Sequence, residues 1–164
     1  MGWFVANIQS FKEFITEQSL YRGHDYTHPA VGDQKIVWFA YDRATADGYA
    51  KHRDNPTVSV VQYKPKKTIK LGTTNRTITA KSFADEIIAG SHSPSLDLRK
   101  VDPIVSKMVS KFGATQYSPV HFWNNGDLVA ELVDVCGFDS IEIKDDGNLT
   151  IGVLNKYLSV TGDI

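Results

Sequence analysis

The feature that most constrains this chain is a tight turn near its C-terminal end. Asp145-Asp146-Gly147-Asn148 separates two apolar, β-branched runs, Ser140–Ile143 and Leu149–Leu154. Asp-Gly suits the positive backbone angles of a short turn, so the segment predicts a β-hairpin. In its first strand Ile141 and Ile143 face one way, Ser140 and Glu142 the other. Just upstream, Asp127–Cys136 (DLVAELVDVC) predicts a helix with Leu128, Leu132 and Val135 on one stripe and Gly137 placed to end it. A helix feeding a hairpin makes the class α+β.

The rest of the chain repeats this mixture. Ser10-Phe11-Lys12-Glu13 has the form of a capping box and predicts a helix to about Gln18. Leu20–Gly23 reads as a brief strand and His24–Gln34 as a loop rich in Gly, Pro and Asp. Lys35–Ala40 is almost wholly apolar, which predicts a central strand. Asp42 N-caps a helix through Ala44, Ala46, Tyr49 and Ala50, with Asn55-Pro56 as its stop. Thr57–Tyr63 is a third strand. Lys64–Ser82 carries six basic residues and no acidic one, either a solvated rim or a patch facing an acidic or nucleic-acid target. Helices are expected near Ser82–Ala89 and over Val101–Phe112, with Pro103 in the first turn of the latter.

The 164 residues suit one domain, 1–164. Charge bounds its function: the net value is -1, which argues against coating of DNA through many phosphate contacts. Cys136 is the single cysteine, so no internal disulfide or cysteine-based zinc cluster forms. Its apolar surroundings mark it as a core thiol, and cysteine scarcity points to the cytosol. No run approaches 18 uninterrupted apolar residues, which excludes a spanning helix. Met1-Gly2 is not followed by Ser or Thr at position 6, where Ala6 stands, so myristoylation is not expected.

Two segments carry the chemistry. Arg22, at the end of an early strand, offers a fork of donors matched to phosphate oxygens, and Gly23 beside it allows close approach of a ligand. The plain alternative is a surface arginine paired with a carboxylate. Phe39 and Tyr49, ten residues apart across a strand and a helix, are either an aromatic wall for a flat heterocycle or part of an aromatic core. His24 and His28 lie four apart in a loop broken by Pro29, a poor metal pair; His24 is instead a ligand-contact candidate beside Arg22. His121-Phe122-Trp123 reads as core or pocket edge.

Taken in order, these residues resemble the ADP-ribosyltransferase superfamily. Trp38-Phe39-Ala40 through Asp42 to Ala46-Asp47-Gly48-Tyr49 looks like the strand–helix segment of the poly(ADP-ribose) polymerase branch. Leu20-Tyr21-Arg22-Gly23 looks like the first-strand arginine of the arginine-type branch. Gly137-Phe138-Asp139-Ser140-Ile141 is similar to a segment that small phage and toxin-type members place before the final hairpin. The resemblance implies a split β-sheet core with short flanking helices, with NAD⁺ as substrate. It implies that Arg22, Gly23, His24, Phe39, Ala40 and Tyr49 bind NAD⁺, with Tyr49 stacking on nicotinamide. A carboxylate from Asp145 or Asp146, or failing these Glu142, would act on the ribose. Ala46 departs from the family serine, and no glutamate stands at the start of the last strand. Two functions follow. One is transfer of ADP-ribose to a host macromolecule, a protein ahead of a nucleic acid, as in disabling a defence. The other is a non-enzymatic inhibitor or binding module on the same scaffold, acting by nucleic-acid mimicry or by surface contact, the latter through a basic surface at Lys64, Lys66, Lys67 and Lys70.

Overall fold

The computed structural model describes residues 19–29, 31–73, 76–91, 96–123, 126–145 and 147–161. The expected helix at Ser10–Gln18 and residue Asp146 lie outside them. Six strands are present: β1 (Ser19–Asp25), β2 (Ile36–Ala40), β3 (Pro56–Gln62), β4 (Thr68–Thr73), β5 (Ser140–Asp145) and β6 (Asn148–Leu154). They form one mixed sheet in the order β3-β1-β2-β6-β5-β4. All neighbours are antiparallel except β4 and β5. With its helices the fold is α+β.

Alternation explains why β2 is interior. Val37 and Phe39 enter one core while Ile36 and Trp38 pack into the other, and a strand buried on both faces belongs in mid-sheet. Gly152 of β6 is needed opposite, because a Cβ there would lie 2.7 Å from the Trp38 ring and 2.8 Å from Ile36. The β5–β6 hairpin forms in the expected register, Asp145↔Asn148. Gly147 takes φ 84° in its turn, a value glycine adopts without steric cost.

The sheet is unevenly knit. Paired residues run the length of β1 and β3, from Ser19↔Gln62 to Asp25↔Pro56, and the length of β2 and β6. Between β1 and β2 the registered pairing is Tyr21↔Ala40 alone. The sheet is continuous, but it has a seam.

Helices α1 (Arg43–Ala50), α2 (Ala80–Gly90), α3 (Leu98–Phe112), α4 (Pro119–Trp123), α5 (Gly126–Val135) and α6 (Asn155–Thr161) complete the fold. The larger core lies where α2, α3 and α5 meet the sheet, around Phe83, Ile87, Met108, Leu132 and Ile141. Phe83 stacks on Phe122 with centroids 5.0 Å apart; each such buried ring contributes about 1.5–3 kcal/mol. The smaller core, on the other face, holds Leu20, Val37, Phe39, Val61, Tyr63, Ile151, Val153 and Leu158. Cys136 is buried, and burial pushes its thiol up to about 11, which suits a core thiol rather than a nucleophile.

Several expectations are corrected. Helix α3 starts at Leu98, N-capped by Asp97, so Pro103 is inside the helix rather than in its first turn. It is tolerated on the exposed face. The buried stripe of α5 is Val129, Ala130, Leu132 and Val133, with Leu128 and Val135 only partly covered. Helix α1 ends at Ala50, and Pro56 opens β3 instead of stopping the helix. The lysine-rich segment contains an edge strand, β4, where no strand was expected. Among the described residues no helix is long and apolar enough to cross a membrane.

Candidate functional site

Beyond the Tyr21↔Ala40 pair, the seam is filled by the side chain of Arg22. Its Nη1 donates to the carbonyl oxygen of Trp38 at 2.9 Å. Its Nε is buried with no hydrogen-bond partner among the described residues. Burial, with a smaller contribution from the Arg53 guanidinium, holds Arg22 below the usual arginine range, yet a guanidinium remains charged throughout ordinary conditions. The expected plain alternative, an arginine paired with a carboxylate, does not describe this residue. A buried cation with an unmet donor is costly, and it favours an anion placed against it.

Two openings meet at Arg22. One, of about 550 Å³, brings Arg22, Arg53 and three histidines together with the carboxylates of Asp25, Asp33 and Asp54. The other, of about 330 Å³, is lined by Arg22, Gln34, Ile36, Trp38, Gly126 and Asp127. Both fall in the volume range of small-molecule sites. Arg53 carries no signal in the sequence, because it lies in a polar connection between α1 and β3 with no pattern of its own, and His52 beside it offers no partner that sequence can supply.

Gly23 has a different role from the one expected. A Cβ there would collide with the Ala46 carbonyl and lie 2.8 Å from Ala50 N. The close approach is that of helix α1, not of a ligand. Ala46 and Ala50 are buried against it, so the alanine that replaces the family serine is a packing residue in this chain. Asp42 caps the helix as expected, accepting from Thr45 N at 2.7 Å.

His24 is an organising residue. Nδ1 lies 2.9 Å from the Asp25 carbonyl and 3.1 Å from that of His28, and Nε2 lies 2.7 Å from Ser59 Oγ. Two carbonyls around Nδ1 put the proton there, leaving Nε2 to accept from the Ser59 hydroxyl. Asp25 accepts from Thr27 N and Oγ1, bonds that hold its carboxyl below the usual range. The wall of the larger opening is thereby tied in place.

The aromatic wall is not assembled. Phe39 is 2% exposed and belongs to the smaller core, as does the face of β2 it shares with Val37. Ala40 is also buried. Tyr49 is 44% exposed on α1. Neither opening at Arg22 is lined by Phe39, Ala40 or Tyr49.

The acidic candidates stand apart from the seam. Glu142 accepts the Tyr41 hydroxyl at 2.6 Å. Burial first, then this bond and the Glu142 charge, push the Tyr41 phenol well above its ordinary range. In the sheet, Phe39 of β2 pairs with Ile151, which pairs with Glu142. Glu142 is thus two strand spacings, about 10 Å, beyond β2 on the side away from β1, with the buried Ile151 between. Asp145 ends β5 opposite Asn148. The residues that begin β6 are Asn148, Leu149 and Thr150.

Sequence reasoning assigned no contacts to Asp139, the acidic residue of Gly137-Phe138-Asp139-Ser140-Ile141. It is 6% exposed. Its carboxylate accepts from Tyr63 Oη at 2.9 Å, Lys66 N at 2.7 Å, Lys67 N at 3.1 Å and Ser140 Oγ at 2.8 Å. That residue's role is to hold the β3–β4 connection onto the start of β5. No family model, curated protein or solved structure matches this chain.

Proposed function

We propose that the chain is an ADP-ribosyltransferase-like protein that binds NAD⁺ at the β1–β2 seam and transfers ADP-ribose to a protein acceptor. The observation that carries this reading is Arg22: a buried guanidinium on β1, anchored by one bond to Trp38 and left with an unpartnered Nε between two openings. A pyrophosphate supplies the charge and the oxygens that such a group lacks. The order of the Arg22, Trp38–Tyr49 and Gly137–Ile141 segments along the chain supports it further. In the reaction, nicotinamide leaves the ribose through an oxocarbenium-like transition state, which a nearby carboxylate stabilises. Glu142, Asp145 and Asp146 are the residues to test in that role.

The experiment is release of nicotinamide from NAD⁺, followed by chromatography, with wild type, Arg22→Ala, Glu142→Gln, Asp145→Asn and Asp146→Asn. Release by wild type that Arg22→Ala and one carboxylate variant abolish is the expected result. Release unaffected by Arg22→Ala contradicts the assignment.

A second reading, NAD⁺ binding without turnover, is favoured by one specific observation. Glu142 is committed to Tyr41 and the first residues of β6 are uncharged. Saturable binding with no nicotinamide release under any carboxylate variant separates this reading from the first.

A further inference from the structure

We infer that the connection from Lys64 to Lys67, with the edge strand β4 that follows it, is a docking surface for the sugar-phosphate backbone of a nucleic-acid duplex. This surface is independent of the NAD⁺ reading. Lys64, Lys66, Lys67 and Lys70 are all exposed. None of them has an ion pair among the described residues, whereas Lys35, Arg76, Lys81, Arg99 and Lys156 each lie within 4.0 Å of a carboxylate oxygen. Lys51, Lys100, Lys107, Lys111 and Lys144 also lack an ion pair among the described residues, but only between positions 64 and 70 do four such lysines fall within seven residues.

That stretch is also held rigid. The Asp139 carboxylate accepts from the backbone amides of Lys66 and Lys67 and from the Tyr63 hydroxyl, while Asp139 N donates to the Lys67 carbonyl at 3.0 Å. The Asp139 carboxylate is thus buried and spent on the backbone, while the four lysines stay exposed. Lys67 Nζ sits 5.6 Å from the Phe138 ring centroid. Lys70 alternates along β4 with buried Ile69 and Leu71. Its register partner Glu142 already accepts from Tyr41. Lys144, exposed and in register with Thr73, continues the positive row.

The composition of the patch selects the partner. Protein interfaces are depleted in lysine and draw their affinity from Trp, Tyr and Arg, and residues 64–70 expose none of these. Single-stranded nucleic acid is held by stacking on exposed aromatics, which the stretch also lacks. Point charges on a fixed backbone suit phosphates read without regard to sequence.

The test is binding of the full chain to a fluorescein-labelled DNA duplex of about two helical turns. Four phosphate contacts give a slope of log K against log salt near about −3.6, and a loss on the order of 100-fold between about 50 and 200 mM salt. The Lys66→Gln/Lys67→Gln variant should lower the magnitude of that slope by about 1.8. The control Lys81→Gln/Lys156→Gln, which removes paired lysines, should leave it unchanged. If the first variant unfolds, Lys64→Gln/Lys70→Gln reads the same change. No binding at about 50 mM salt, a slope indifferent to the variants, or tighter binding to a poly-glutamate peptide than to the duplex overturns the proposal.

Discussion

Tyr63 donates its hydroxyl to Asp139 Oδ2 at 2.9 Å, joining the end of β3 to the start of β5 across 76 positions of sequence. The same carboxylate receives two backbone amides and the Ser140 hydroxyl. Removing it leaves several buried donors unmet at about 1–3 kcal/mol each. Asp139→Ala should therefore destabilise the fold by about 2–4 kcal/mol, read by urea unfolding, and Asp139→Asn should cost less. A loss under about 0.5 kcal/mol, the range of ordinary surface substitutions, would show that the network is not structural.

The Tyr63 phenol also predicts a pH dependence. Burial, then the bond to Asp139 and its charge, raises the phenol well above its usual value. The unfolded chain ionises this tyrosine at about pH 10, while the folded chain keeps it neutral. Stability from this group is complete below about pH 10 and declines as pH rises from there through the folded value. Tyr63→Phe should be less stable at neutral pH but lose less on going from pH 9.5 to 11 in thermal melts. Tyr41, raised for a similar reason, accounts for the decline that remains.

Gly23 sits against the Ala46 carbonyl and Ala50 N. Gly23→Ala should destabilise by about 1–3 kcal/mol through overpacking of α1 on β1. In a chain that stays folded it should also weaken NAD⁺ binding, since Arg22 is the next residue. Gly48→Ala, inside α1 where an added Cβ meets nothing within 4 Å, is the control and should raise stability by about 0.5–1 kcal/mol while leaving NAD⁺ binding unchanged. An unchanged unfolding midpoint for Gly23→Ala would contradict the packing role.

The Tyr41–Glu142 bond separates the two carboxylate roles. If Glu142 acts on the ribose, Tyr41→Phe should lower kcat for nicotinamide release about tenfold. That corresponds to about 1.4 kcal/mol, the scale of a hydrogen bond to a charged group. KM for NAD⁺ should stay within about twofold, a difference of about 0.4 kcal/mol. A change in KM alone would assign this pair to binding.

The elements with local signals were legible before the structure. β2 announced itself by unbroken apolar residues, α1 by the Asp42 cap, the hairpin by Asp-Gly. Strand β4 was not, because its period-two pattern, Ile69 and Leu71 against Thr68 and Lys70, was masked by the lysines around it. Its partner β5 is also about 70 residues away and parallel, a contact no local pattern encodes. In the site, Arg22 stands in the middle of β1 rather than at the strand end that Leu20–Gly23 suggested, because the polar Arg22-Gly23-His24-Asp25 run carries no apolar signal for the strand's continuation. The expected partnership of Phe39 and Tyr49 failed for a simple reason. Strand alternation puts Phe39 on the side of Val37, inside the smaller core. Arg53 reaches the same opening only through the fold.

The central claim is that the Arg22 seam binds NAD⁺, and calorimetric titration of the full chain with NAD⁺ tests it most directly. The account predicts one saturable site in wild type and loss of binding in Arg22→Ala with the melting midpoint preserved or raised, since a buried unmet cation is removed. Lys81→Gln, which breaks an exposed ion pair with Asp85 away from both openings, should bind as wild type does. Equal NAD⁺ affinity in wild type and Arg22→Ala, or no heat from a folded wild-type sample, would contradict it.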